Sequence, residues 1–121
     1  MSKMEFKHKK NFSFEERQQQ SQEILSKYRG RIPVICEMEP NAKFEVEIEK
    51  TKYLCPSDMC ISQLSFLIRS KLKLTQEVSI YLLINGKTTI GGDETIQQLY
   101  QTFKDNDGFL YIAYSSEIIW G

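Results

Sequence analysis

Ile32-Pro33-Val34-Ile35-Cys36 is apolar at every position. On a strand, whose side chains alternate between faces, such a run means that both faces of the sheet are covered. One cover is the main core; the other has to come from an N-terminal helix or from a partner. Upstream, Ser13-Phe14-Glu15-Glu16 is a capping-box pattern, in which a serine hydroxyl and a carboxylate three residues later satisfy free amides at a helix start. It predicts a helix over residues 14–28. The apolar content of that helix is thin, with Phe14, Ile24, Leu25 and Tyr28 around Gln18-Gln19-Gln20, so it needs a neighbour to pack on. Residues 1–11 are lysine-rich, with Phe6 as a lone apolar anchor, and read as a short helix or a mobile arm.

Downstream, Phe44-Glu45-Val46-Glu47-Ile48-Glu49 alternates with period two, the pattern of a half-exposed strand or hairpin arm. Thr51-Lys52-Tyr53-Leu54-Cys55 reads as the second strand, closed by Pro56, which has no ladder donor. Over residues 60–74 the spacing turns helical: Ile61, Leu64, Ile68 and Leu72 form one stripe, widened by Leu67. Residues 77–85, with Ile80-Tyr81-Leu82-Leu83-Ile84, read as a buried strand, and Asn85-Gly86 is a turn signal. Gly91-Gly92-Asp93 precedes a short helix with Ile96, Leu99, Tyr100 and Phe103, and Asp107-Gly108 turns into a last strand over residues 109–115. A hairpin followed by a crossover helix onto a parallel strand gives an α+β fold: a ubiquitin-like β-grasp, four-stranded and mixed, with two additional N-terminal helices. The expected organisation is one domain over residues 1–121, with a helical extension (1–28), a β-grasp core (29–115) and a flexible tail (116–121).

Sixteen Lys and Arg balance sixteen Asp and Glu, yet residues 1–31 hold eight basic and four acidic side chains, leaving eight basic and twelve acidic in residues 32–121. The basic N-terminal surface suits acidic partners or anionic lipid heads rather than nucleic acid; a solvated helix face is the plain alternative. Three cysteines, Cys36, Cys55 and Cys60, odd in number, in apolar or strand-like surroundings and without a signal peptide, indicate reduced thiols in a cytoplasmic protein. Neither a CxxC pair nor a histidine cluster is present, so neither a metal nor a cofactor is expected. No apolar run approaches the ~20 residues that cross a bilayer. Membrane attachment must then be peripheral or chemical. Gly121 ends the chain, and a glycine carboxylate on a protruding tail fits a narrow active site because it lacks a Cβ.

Taken in order, Lys27-Tyr28, Arg31-Ile32-Pro33-Val34-Ile35, Lys52-Tyr53-Leu54-Cys55-Pro56-Ser57-Asp58, Phe66-Leu67-Ile68-Arg69, Gln98-Leu99-Tyr100 and Phe109-Leu110-Tyr111-Ile112-Ala113-Tyr114-Ser115, ending in Trp120-Gly121, resemble the autophagy ubiquitin-like modifiers. This is the family of GABARAP and the microtubule-associated light chains, and the likeness is closer to the GABARAP branch. It runs from about Phe6 to the end of the chain. The resemblance implies a precursor trimmed by a cysteine protease at Gly121, a thioester made by an ATP-dependent activating enzyme, and transfer by a conjugating enzyme to the amine of phosphatidylethanolamine. The two acyl chains thus gained satisfy the two-signal requirement for stable anchoring on the autophagosome membrane. Trp120 takes a place usually held by Phe or Tyr.

The resemblance also implies a groove for the aromatic-x-x-aliphatic motifs of cargo receptors. Ile24, Pro33, Ile35, Leu54 and Phe109 match its pocket for the aromatic side chain; Tyr53, Cys55, Pro56, Met59, Leu64 and Leu67 match the pocket for the aliphatic one. A partner segment would add as a strand to the second strand. Read singly, each of these is a core residue; what favours a groove is the doubly apolar strand opposite a helix with so little apolar cover. Arg31, Lys50, Lys52, Arg69 and Lys71 form a cationic rim for acidic or phosphorylated residues before the aromatic. Thr51 replaces a basic residue of the family's lysine run, and Glu45, Glu47 and Glu49 lie in a segment one residue longer than in GABARAP, both making the rim less positive. In the family, the N-terminal arm is associated with membrane and tubulin contacts.

Two other readings compete. A ubiquitin-like scaffold that is never conjugated would bind only partners or microtubules. A thiol enzyme would need a base near a cysteine, yet the one histidine, His8, falls on the N-terminal arm, and Cys36 and Cys55 fall on strands.

Overall fold

The structure, a computed structural model, describes residues 4–117; Trp120 and Gly121 lie outside the described residues. The elements are α1 (Lys7–Asn11), α2 (Phe14–Lys27), β1 (Arg31–Met38), β2 (Lys52–Pro56), α3 (Ile61–Leu72), β3 (Tyr81–Ile84), β4 (Thr88–Thr89), α4 (Ile96–Phe103) and β5 (Leu110–Ser115). They form a mixed sheet in the order β2-β1-β5-β3-β4. β1 runs parallel to β5 in the register Val34↔Leu110 to Met38↔Tyr114, and the other pairings are antiparallel.

Two expectations are corrected. The sheet has five strands, not four. Asn85 (φ 54°) and Gly86 (φ 70°), both left-handed as a tight hairpin turn requires, fold Thr88 and Thr89 back onto Ile84 and Leu83. A strand of two residues leaves no period to read. The segment 44–49 is not a strand, although it alternates. Val46 is 55% exposed where alternation would bury it, and only Phe44 and Ile48 pack on the core. Side chains replace a ladder at two points of this connection: Lys43 donates its N–H to Ser116 Oγ (2.9 Å) and Ile48 to the Tyr114 hydroxyl (3.1 Å).

β1 is buried from Ile32 to Glu37, and alternation divides its side chains between two cores. Ile32, Val34 and Cys36 meet Ile61, Leu64, Ile68, Leu72, Ile96 and Leu99 of α3 and α4. On the opposite face Ile35 joins Leu83, Tyr111 and Ala113 of the sheet, Phe109 just before β5, and Phe6 and Ile24 of the N-terminal segment.

Residues 6–11 are docked, Lys7–Asn11 as a short helix rather than a mobile arm. The Glu37 carboxylate accepts the N–H groups of Lys7 (2.6 Å) and His8 (3.0 Å) at the start of α1. Phe6 packs edge-on against Tyr111 with centroids 5.0 Å apart, and Lys9 pairs with Asp105 at 2.6 Å. His8 is therefore buried against Phe12 and Phe109 rather than carried on a mobile arm. α2 starts at its capping box, with Glu16 N–H on Ser13 Oγ (3.2 Å) and Ser13 N–H on Glu16 Oε1 (2.8 Å).

Candidate functional site: the free edge of β2

β2 closes one side of the sheet, so one row of its backbone groups faces outward. The register shows which row. Cys36 donates its N–H to the Thr51 carbonyl (2.8 Å), and Val34 and Ile32 pair with Tyr53 and Cys55. Alternation then turns the backbone groups of Thr51, Tyr53 and Cys55 toward β1 and those of Lys52 and Leu54 outward. By the same alternation the missing donor of Pro33 falls on the β5 side, at the start of that ladder, where it costs β2 nothing. The outward Leu54 carbonyl accepts from Arg31 Nη1 at 3.2 Å.

The apolar side chains around this edge fall on both faces of the sheet. On one face Ile24 of α2, Ile35 and Phe109 form a buried floor, with half-buried Leu54 packed against it; Pro33 shares this side of β1. A buried carboxylate sets that floor. Asp107 is 0% exposed and accepts from Phe109 N–H (2.9 Å) and the Tyr111 hydroxyl (2.7 Å). Arg17 Nη1 lies 3.4 Å from the same carboxylate, and Ser21 Oγ donates to the Asp107 carbonyl (2.5 Å). Ser21 stands one helical turn before Ile24, so this contact fixes the face that α2 turns to the strand. On the other face Tyr53, Cys55 and Leu64 belong to the main core, Met59 and Leu67 pack on it, and Pro56 is half-buried.

The cations are arranged unevenly. Lys50 Nζ and Lys71 Nζ lie 5.2 and 5.9 Å from the Tyr53 ring centroid, close enough for attraction to its π face. Arg31 and Lys52 are exposed at the edge. Arg69 is turned to other work: its Nη1 donates to the carbonyls of Thr75 (3.0 Å) and Val78 (2.7 Å), tying down the segment after α3. Burial pushes the Tyr53 hydroxyl up to about 12, with Cys36, Tyr114 and Cys55 adding to it. Burial also pushes the Cys55 thiol up to about 11, against the pull of Arg31 and Lys50, and the Cys36 thiol well above its ordinary value. Both stay protonated at neutral pH, which removes the thiolate that nucleophilic chemistry requires.

Among the described residues no cluster of His, Cys, Asp and Glu could hold a metal ion, and no helix is long and apolar enough to cross a membrane. The carboxylate of this site missed by sequence reasoning is Asp107. It gives no signal, since a buried carboxylate looks the same in sequence as a solvated one.

A β-grasp sheet with two helices before it defines the class of this molecule as ubiquitin-like. The family model "Autophagy protein Atg8 ubiquitin like" matches residues 16–121. The chain is 40% identical over 114 residues to Autophagy-related protein 8 of Kluyveromyces lactis, covering 93% of this chain and 90% of that one. The same figures hold for the protein of Kluyveromyces marxianus. The crystal structure of Trypanosoma brucei ATG8 superposes with a TM-score of 0.87 at 30% identity, over 98% of this chain and 100% of the other. The chain belongs to the Atg8 family of autophagy ubiquitin-like proteins.

Proposed function

We propose that this chain is a modifier joined through the Gly121 carboxylate to phosphatidylethanolamine during autophagosome formation, and that it recruits cargo receptors as strands added to β2. A cysteine protease exposes the glycine. An activating enzyme uses ATP to form a thioester, and a conjugating enzyme presents that thioester to the lipid amine; the amide bond forms as the thiol leaves. The protein is cytoplasmic before this step and held on the autophagosome membrane after it. Membership of the Atg8 family supports this half of the reading.

One observation supports the recruiting half. Lys52 and Leu54 turn backbone groups outward, and the apolar residues at that edge lie on opposite faces of the sheet. In an extended segment, side chains three positions apart also point to opposite faces. An aromatic-x-x-aliphatic segment on this edge sends its aromatic to Ile24, Pro33, Ile35, Leu54 and Phe109, and its aliphatic to Tyr53, Cys55, Pro56, Met59, Leu64 and Leu67. Arg31, Lys50 and Lys52 meet acidic residues ahead of the aromatic; Arg69 joins them only by leaving the carbonyls of Thr75 and Val78.

Leu54→Ala tests the edge, since Leu54 is half-exposed whereas Tyr53 belongs to the core. Calorimetric titration with an aromatic-x-x-aliphatic peptide should show affinity weakened roughly tenfold or more, with an unchanged circular dichroism spectrum. Equal binding by the variant would overturn the groove. In the same study, Gly121→Ala incubated with the activating and conjugating enzymes, ATP and phosphatidylethanolamine liposomes should give no lipid adduct; normal lipidation would overturn the modifier.

A further inference from the structure

At the end of the sheet where β5 begins, α1, the β3–β4 turn and the segment after α4 surround a basin of about 600 Å³. Four of its lining residues are lysines: Lys9, Lys10, Lys87 and Lys104. Its two carboxylates are engaged, Asp105 with Lys9 at 2.6 Å and Glu5 with Lys10 at 3.1 Å. Lys87 and Lys104 are exposed and have no ion pair among the described residues; Lys104 Nζ rests 5.4 Å from the Tyr100 ring centroid. Asn85 and Asn106 add amide donors, and Phe6 and Phe103 add apolar surface. Six charges with a net of +2 thus converge on one concavity.

We infer that this basin binds a compact group bearing several phosphates, of the inositol polyphosphate kind, either free or as a lipid headgroup. A single carboxylate brings nothing that Asp105 and Glu5 do not already supply. A ring with phosphates on several sides can instead reach Lys87, Lys104 and the two tethered lysines together, and lysine ammonium groups act on phosphate as point charges. The volume lies within the range of small-molecule sites. The basin shares no residue with the β2 edge. It lies toward the start of β5, and Ser115 is the last residue of that strand.

Titration of inositol hexakisphosphate into the full chain should show saturable binding that weakens as ionic strength rises. Lys87→Glu with Lys104→Glu should reduce the affinity at least tenfold, while Lys43→Glu, away from the basin, changes it little. Circular dichroism and affinity for the aromatic-x-x-aliphatic peptide should remain unchanged in the double variant, so that failure here is separate from failure of the groove. Vesicles containing phosphatidylinositol bisphosphate, compared with phosphatidylserine vesicles of matched charge, distinguish the two sources. Selective capture that inositol hexakisphosphate reverses assigns the headgroup; binding of the soluble compound without capture assigns the free ligand. Absence of saturable binding, equal binding by the double variant, or equal capture by both vesicle types would overturn the inference.

Discussion

On the α3 and α4 side, the sheet is covered by the aliphatic residues Ile61, Leu64, Ile68, Leu72, Ile96 and Leu99, none more than 4% exposed. On the α1 and α2 side, Phe6 and Ile24 share the cover with His8, Ser21, Glu37 and Asp107, all of them buried. Burial of apolar area is insensitive to direction, whereas buried polar groups hold only while every partner is in place. The first face therefore carries the stability of the fold. The second sets geometry: Asp107 fixes Phe109 and α2, and Glu37 fixes α1, so the floor beside β2 depends on a few hydrogen bonds.

The largest expected effect lies on the apolar face. Ile68 is 0% exposed, and Ile68→Ala should cost about 2–5 kcal/mol by lost transfer energy and the cavity left behind. Chemical denaturation should show one cooperative transition at a lower midpoint, and amides on both faces should lose protection together. A variant of unchanged midpoint would break the assignment of stability to this face.

A smaller, local effect is expected across the sheet. Glu37→Ala leaves the N–H groups of Lys7 and His8 without their acceptor, at a cost of about 1.5–3 kcal/mol for charge-assisted bonds. Because α1 is held on the sheet by a few contacts, Glu37, Phe6 on Tyr111 and the Lys9–Asp105 pair, the loss should appear as roughly ten- to hundredfold faster hydrogen exchange at residues 7–11. The midpoint of global unfolding should move much less than in Ile68→Ala. Equal changes in both would mean that the two faces form one cooperative unit.

The same division explains what could be read in the chain. The stripe Ile61, Leu64, Ile68, Leu72 and the doubly apolar Ile32–Cys36 run have a period, and period is what sequence displays; α3 and the two-sided burial of β1 follow from it. The residues proposed to form a groove on each side of β2 were singled out by resemblance alone, because singly they look like core. Segment 44–49 has a period that tertiary contacts override, through the anchors Phe44 and Ile48 and the hydroxyl of Tyr114. The docking of α1 was not legible. It rests on Glu37, thirty positions from Lys7, and on His8, whose burial no local pattern announces.

The smallest effect is a pH dependence of that docking. His8 lies between Phe12 and Phe109, with centroids 4.9 Å from each. Burial holds its imidazole below the ordinary value; Asp107 opposes this shift, Lys52 and Arg17 add to it, and Gln20 opposes it through its side chain. Glu37, whose carboxylate accepts the His8 N–H, also faces this segment. The docked state therefore prefers neutral His8 and binds fewer protons than the released state. Its contribution is complete above the ordinary histidine value of about 6.5 and is lost as pH falls through the lowered value. Exchange at residues 7–11, corrected for the intrinsic pH dependence of amide exchange, should accelerate through this range while amides of α3 do not. His8→Phe keeps an aromatic ring and cannot take up the proton, so it should abolish the acceleration. Acceleration that persists in His8→Phe would move the titrating group elsewhere on this face, and acceleration shared by α3 would deny that the two faces respond separately.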